Sequence, residues 1–419
     1  MNVPKPNSCL ICKGSNPRRY CGRDFCPILA KAYSAMKVKQ KITRQDFNAL
    51  SPSILIGHNF YPNVNVGILS PPELDEKTWL YDAPRFWAQN EFKIPEIVDF
   101  RSALINSRFR QDVKLNALQK NKFLDTVQEV AMASKPVDIE VNLNEAPKFR
   151  LNLDTFLAPS GPNAKLKNIF VTSNPKIDTR VDKIVSDTDL KAKNAILELS
   201  KKGFDENFLT KLLSAATLGI KTQRKLVPTR WAISGVDSNI GNYLISKIKE
   251  YNQTDYLAFF GGYLGNYFLV LCFPEVFSYE LFEMYMPKTS WNIKGEINYT
   301  TDYEPYAGRK TYAENCGGGF YSVRLALAEK LEKMKKQASV LVLRFITGEY
   351  AIPLGVWVVR ESVRKALNNK PLEFSSKELM LNYAKLMVQK KFGYDIDNIL
   401  NKSIILKDIK QQNKLSKFF

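Results

Sequence analysis

Four of the six cysteines stand near the start of the chain, at Cys9, Cys12, Cys21 and Cys26. The two residues between Cys9 and Cys12 let backbone amides face the sulfurs while both thiolates reach one ion. Cys21 and Cys26 supply a second, looser pair, with Gly22 freeing the turn between them. Four thiolates match a tetrahedral structural Zn2+; an iron–sulfur cluster and unliganded thiols are the alternatives. Residues 1–30 show no sustained apolar periodicity, so a metal has to supply order that a core cannot. Lys13, Arg18, Arg19 and Arg23 make the module basic, suited either to clamping phosphates or to solvating a metal-stapled knob. Cys272 and Cys316 lie far apart in apolar or glycine-rich surroundings, which is not a disulfide framework.

The other end of the chain carries a second pattern. Gln412, Leu415, Phe418 and Phe419 follow the form Gln-x-x-aliphatic-x-x-aromatic-aromatic. One turn of 3₁₀ helix brings the leucine and both phenylalanines to one side as a plug, while the glutamine amide serves a polar pocket. That combination is read as a peptide docking on a DNA sliding clamp. The alternative is an anchor that folds back on the core.

An active site is harder to assemble. The chain holds one histidine, His58, so mechanisms needing a histidine pair are excluded, and no G-x-x-x-x-G-K-[ST] loop is present. Chemistry here needs carboxylates with Mg2+ as the cofactor, or phosphates held by arginines. Glu314, Asp237, Glu349 and Glu361 are the candidates. Gly317, Gly318 and Gly319 precede an expected helix near Tyr321 and form a candidate phosphate cradle, flanked by Arg309, Arg324, Arg344 and Arg360. The competing reading is structural glycines and surface ion pairs. Trp231, Trp291 and Trp357 each lie in or beside apolar runs and are read as core rather than as base-stacking platforms.

The elements expected to position these groups mix strands and helices without a strict βαβ repeat. Short apolar runs at 53–57 and 64–69 read as strands, residues 100–134 as helical, and 137–141 and 149–157 as strands. Helices are expected over 189–199 and 206–218. Thr229–Val236 reads as a strand ended by Asp237, with a helix from Ile240 to Tyr251. Tyr256–Phe273 has no charged residue, but its central glycines favour two strands and a turn over a membrane span. Helices at 321–337, 361–367 and 376–391 and a strand at 339–346 complete the pattern. The expected fold class is α+β or mixed α/β. A zinc module over 1–30 precedes a core over 31–400, which is one body or two subdomains, and a flexible basic tail over 401–419 follows. A formal charge of +19 over 419 residues attracts polyanions, and no apolar leader precedes the cysteines, so a cytoplasmic protein with a DNA partner and no membrane is expected. Oligomeric state is not readable.

Several segments together resemble the Nre family of archaeal DNA-repair proteins. They are the cysteine module (Cys9–Gly14, Arg19–Gly22, Cys26-Pro27), then Gly57-His58-Asn59-Phe60-Tyr61-Pro62 with Val66-Gly67 and Pro71-Pro72, then Thr229–Ile233 with Val236-Asp237. The longest match runs from Tyr303 through Tyr312-Ala313, Gly317–Gly319 and Arg324 to Gly355–Trp357, Arg360-Glu361 and Arg364. The resemblance covers most of the chain and implies repair of DNA damage in partnership with the sliding clamp. His58 stands where the family pattern implies a basic residue such as arginine, which weakens any phosphate contact there at neutral pH. The leading reading is a clamp-docked DNA-repair factor with a DNA-binding core. A metal-dependent nuclease or nucleotide-processing enzyme comes second, and an RNA-binding or ribosome-associated protein third.

Overall fold

The computed structural model describes residues 12, 15–21, 25–26, 29–30, 32–34, 36, 45–115, 121–147, 159–287, 289, 291–292 and 296–411. The expected strand at 149–157 lies outside them, as do Cys9 and the four residues of the C-terminal peptide, Gln412, Leu415, Phe418 and Phe419. The chain divides into two units, Met1–Ile240 with Ala351–Gly355, and Gly241–Tyr350 with Val356–Phe419.

The first unit is built on a six-stranded sheet of described residues. Its strands are β1 (Asp46–Ser51), β2 (Ser53–Ile56), β3 (Asn63–Ser70), β4 (Ile105–Asp112), β5 (Val137–Leu143) and β6 (Asn163–Val171), in the order β1-β5-β6-β4-β3-β2. Only the β4–β6 pair is parallel among the pairs of this sheet. One face carries Ile54, Val66, Ile68, Ile139 and Val141, packed against Val127, Val130 and Ala131 of helix α1 (Lys122–Met132). Asn121 caps that helix by accepting from the amides of Phe123 and Leu124. On the other face, cross-strand register sets Leu55, Gly67, Arg108 and Lys165 in one row. Gly67 leaves room there for the Asn106 side chain: a Cβ would lie 1.7 Å from its amide oxygen. Residues 105–112 form a strand rather than the expected helix. Ile105, Ser107 and Phe109 alternate with Asn106, Arg108 and Arg110, a period of two hidden by polar residues on both faces.

The second correction is larger. Thr229–Val236 is the first half of a helix, here α3 (Thr229–Ile248) after α2 (Glu206–Ser214), and Asp237-Ser238 lie inside it rather than capping it. Ala232, Val236 and Ile240 are buried at intervals of four, a helical stripe that a β-branched apolar run disguised. Pro228 starts the helix, its carbonyl accepting from Trp231 and Ala232.

The second unit also has a six-stranded sheet of described residues. Its members are β7 (Tyr256–Tyr263), β8 (Asn266–Phe273), β9 (Ser278–Tyr285), β10 (Asn298–Glu304), β11 (Ser339–Ile346) and β12 (Leu372–Phe374), in the order β10-β9-β11-β8-β7-β12. The β7–β8 hairpin occupies the apolar stretch Tyr256–Phe273, as expected, and among the described residues no helix is long and apolar enough to cross a membrane. Helices cover both faces, so β11 is buried at every position and reads as a continuous apolar run. On one side Val340 and Val342 pack with Phe320 and Val323 of α4 (Gly318–Met334) and Val359 and Val363 of α5 (Val356–Asn368). On the other, Leu341 and Leu343 pack with Met380 and Ala384 of α6 (Lys377–Phe392) and Ile405 of α7 (Ile404–Gln411).

Helix α7 replaces the first part of the expected flexible tail, and the cause is a buried carboxylate. Glu280 on β9, 1% exposed, accepts from the Ser403 hydroxyl at 2.6 Å and from the amides of Ile404 and Ile405 at 3.0 and 3.2 Å. A carboxylate acceptor at a helix start satisfies amides that have no partner within the helix. Burial pushes the Glu280 carboxyl above its ordinary value, against the lowering effect of those three hydrogen bonds. Glu280→Ala is expected to cost about 2 kcal/mol and to speed amide exchange across 404–411, read by hydrogen-exchange mass spectrometry. Unchanged exchange there would mean that apolar packing alone holds the helix.

Candidate nucleic-acid interface

In the first unit, two sequence-distant segments meet in an exposed aromatic cluster. The loop after β2 runs through His58, Asn59, Phe60, Tyr61 and Pro62, all exposed. It is tied at its base by the Gly57 amide, which donates to the Asn65 carbonyl at 2.8 Å. Phe60 has φ +65, a left-handed backbone that a bulky aromatic residue adopts at a cost of about 1 kcal/mol or more. Its side chain is nonetheless 66% exposed, so apolar burial does not offset that cost. The Ile56 amide donates to the Thr229 hydroxyl at 2.9 Å, which fixes the start of α3 beside the loop. Trp231 then stands 5.1 Å from the Tyr61 ring, tilted by 57°.

Trp231 is therefore not a core residue. It is 48% exposed, one position before the buried Ala232 stripe and so turned about 100° from it. Trp357 is buried, as expected, and Trp291 is half-buried, stacked on Tyr350 with its indole N–H donating to the Tyr350 carbonyl.

One cation contacts this aromatic group, and others lie on the segments joined to it. The Arg110 guanidinium lies 4.1 Å from the Phe60 ring centroid and donates to the Asn63 carbonyl at 2.8 Å. Arg230, next to Trp231, is exposed. Lys114 and Lys225, both exposed, face each other in an antiparallel bridge that the Leu226 amide extends to the Val113 carbonyl. Val113 in turn donates to the Pro62 carbonyl at 3.0 Å, which joins this bridge to the aromatic loop. Rings open to solvent among guanidinium and ammonium groups suit stacking of unpaired bases together with phosphate contacts. His58 lies on the same loop. Phe60, Tyr61 and Arg110 were not read from the sequence as ligands; the available signal was three consecutive residues, Phe60-Tyr61-Pro62, too apolar for a solvated turn and too short for an element.

The glycine-rich segment of the second unit has a different character. Gly319 sits in the first turn of α4, where a Cβ would lie 2.7 Å from a Glu283 carboxylate oxygen. Glu283 accepts from Arg344 at 2.5 Å, and Arg344 also donates to the Asn266 amide oxygen at 3.1 and 2.5 Å. Arg324 lies on Glu304, one nitrogen reaching both carboxylate oxygens at 3.0 and 2.7 Å. Arg309 contacts Asp302 at 3.2 Å, whose other oxygen accepts the Cys316 amide at 2.8 Å. Gly317 has φ +55 and precedes the helix as its cap, and Gly318 opens the helix, both half-buried. Arg360 is 2% exposed in α5. Of the sequence-named carboxylates, Glu361 is buried and pairs with Arg364 at 2.7 Å, and Glu349 is exposed and accepts from the Tyr267 hydroxyl. Glu314 is exposed, and Asp237 is buried inside α3, not at a strand end. Among the described residues, no group of three or more histidine, cysteine or acidic residues is arranged to hold a metal ion. Of the cysteine module, Cys12 is buried and Cys26 half-buried, their carbonyls accepting from Ser15 and Ala30, while Cys9 and the Cys21 side chain lie outside the described residues.

Comparison with known proteins decides the family. A model described as "Archaeal Nre, N-terminal" matches residues 20–292, and one described as "Archaeal Nre, C-terminal" matches residues 304–418. The chain belongs to the Nre family. It is 35% identical over 405 residues to DNA repair protein NreB of Archaeoglobus fulgidus, covering 96% of this chain and 98% of that one. It is 36% identical over 388 residues to DNA repair protein NreA of the same organism, covering 91% and 94%. To DNA repair protein NreA of Haloferax volcanii it is 34% identical over 329 residues, covering 77% and 78%. No solved structure matches the chain. Both segments that build the aromatic cluster, and the glycine-rich segment, fall within the matched residues of this Nre chain.

The inward ion pairs carry a stability prediction. Arg344→Met leaves Glu283 buried without its countercharge and is expected to cost about 3–5 kcal/mol. Adding Glu283→Gln to that variant should recover a large part of the loss, which a double-mutant cycle in urea unfolding measures. Independent, additive effects would show that the pair is not coupled.

Proposed function

We propose that this protein is a DNA-repair factor that binds DNA through the Phe60–Tyr61–Trp231 surface and docks on the sliding clamp through its C-terminal peptide. The observation that carries the reading is the exposed aromatic cluster among Arg110, Arg230, Lys114 and Lys225, in a chain whose relatives are named DNA repair proteins. Phe60, held exposed at a backbone cost, beside a half-exposed Tyr61–Trp231 pair, serves a partner rather than the fold. Stacking tolerates any base, so the surface suits distorted or single-stranded DNA rather than one sequence. The inward pairing of Arg324 and Arg344 supports a structural role for the Gly317–Gly319 segment, which leaves the nuclease reading without a preferred centre. Cys9, Cys12, Cys21 and Cys26 hold Zn2+ on this reading, supported by their spacing and by two described thiols outside any disulfide.

Trp231→Ala is expected to weaken binding to a single-stranded oligonucleotide about tenfold, in keeping with the loss of one stacking contact, while leaving the melting temperature unchanged. Fluorescence anisotropy checks the first and calorimetry the second. An affinity equal to that of the unaltered protein would remove the cluster from the DNA path.

Docking is tested separately. Replacing Phe418 and Phe419 by alanine should abolish binding to the sliding clamp of the same organism in calorimetric titration, with DNA affinity intact. Binding that survives the double change would assign the contact to another surface.

A further inference from the structure

A second feature of the first unit is a cavity of about 390 Å³ that the DNA-binding surface does not use. Trp79, Phe86 and Phe208 supply its apolar walls, and Asp82, Asp205 and Lys211 its charges. Trp79 is 43% exposed and meets the Phe86 ring edge-on at 4.9 Å, forming one side of an open mouth. Lys135, exposed, and Arg85 add cations to the lining. This is a base- or sugar-sized recess with aromatic walls, of the kind that receives a nucleotide turned out of the stack.

Lys211 lies on α2, half-buried, with its Nζ 5.4 Å from the Phe208 ring centroid and donating to the Pro52 carbonyl at 3.3 Å. Neither nearby carboxylate holds it in a direct ion pair: Asp82 is engaged with Arg101 at 2.8 Å, and Asp205 accepts the Asn207 and Phe208 amides as the cap of α2. Burial pushes the Lys211 ammonium below the ordinary lysine value, against the opposing influence of Asp82 and Asp205. A lysine desolvated beside aromatic rings is the usual way a protein makes an amine nucleophilic toward carbonyls. The place also fits. Pro52, in the lining, and Gly57, at the base of the Phe60 loop, are five residues apart along β2, about 17 Å, or roughly five nucleotides of stacked strand.

We propose that Lys211 is an imine-forming nucleophile toward the open-chain aldehyde of an abasic site in DNA, a step that rests on the DNA-repair reading above. The neutral amine attacks the C1′ aldehyde and forms the C–N bond. The carbinolamine oxygen then leaves as water, taking one proton from the nitrogen and one from solvent, and an iminium remains. The C2′ proton passes to the Asp82 carboxylate, the C3′–O bond breaks, and the phosphate departs with its electron pair. Water hydrolyses the conjugated iminium and returns the lysine. No oxidant or metal enters the balance.

The test is borohydride trapping, which reduces the iminium to a stable amine. Full-length protein is mixed with a labelled duplex carrying one abasic site, with and without sodium borohydride. The expected results are a covalent adduct with the reductant and strand scission at the abasic site without it. Peptide mass mapping of the trapped, unaltered protein should place the adduct on Lys211. Lys211→Arg and Lys211→Met should lose both products while keeping the circular dichroism spectrum of the unaltered protein. An adduct mapped to another lysine, or retained by both variants, overturns the proposal. A duplex that is bound but never trapped overturns it and leaves the DNA-binding reading standing; no binding at all removes both.

Discussion

The parallel pairing of β9 with β11 sets Glu283 directly opposite Arg344, both on the sheet face covered by α4. A shift of one residue would turn every side chain on a strand to the other face and bury these charges apart among apolar groups. The ion pair thus ties the register of the central strands to the position of α4, where Gly319 leaves room for the carboxylate at the helix start. Asn266 on β8 extends the same tie to a third strand through Arg344. Three residues before Glu283, Glu280 faces the opposite side and secures α7. One strand therefore orders helices on both faces of its sheet through carboxylates rather than through shape alone.

The first unit solves its problem with little charge inside. Its sheet has one face packed by α1 and another that keeps Arg108 and Lys165 in register, so cations accumulate where they need no buried partner. The contrast explains why a chain with an excess of basic residues keeps arginines for opposite purposes. Arg324 and Arg344 of the second unit are enclosed with carboxylates, whereas Arg110 and Arg230, near Phe60 and Trp231, remain exposed to solvent.

Much of this architecture was legible where burial is extreme. The β7–β8 hairpin and β11 announce themselves because strands covered on both faces need apolar residues at every position. Strand β4 was hidden because Asn106, Ser107 and Arg108 follow one another, and neither face spells a hydrophobic alternation. Helix α3 was hidden by the opposite fault, since Trp231, Ile233 and Val236 in a short run favour a strand by residue type alone. The aromatic cluster was the least legible part. Phe60 and Trp231 are 171 positions apart, and long-range contacts such as the hydrogen bond from Ile56 to Thr229 bring their segments together. Arg324 and Arg344 were visible as arginines near glycines, but their inward direction depends on strand register that no local pattern encodes.

The capped helix α7 fixes a starting point for whatever follows it. Eight residues lie beyond Gln411, and a fully extended chain of that length spans no more than about 28 Å. A clamp gripping the two terminal phenylalanines would consequently remain leashed within one small-domain diameter of this unit. On the docking proposed above, such a short tether would act less as a search line than as a coupling rod, raising the effective concentration of one body at the other while restricting the places both could occupy.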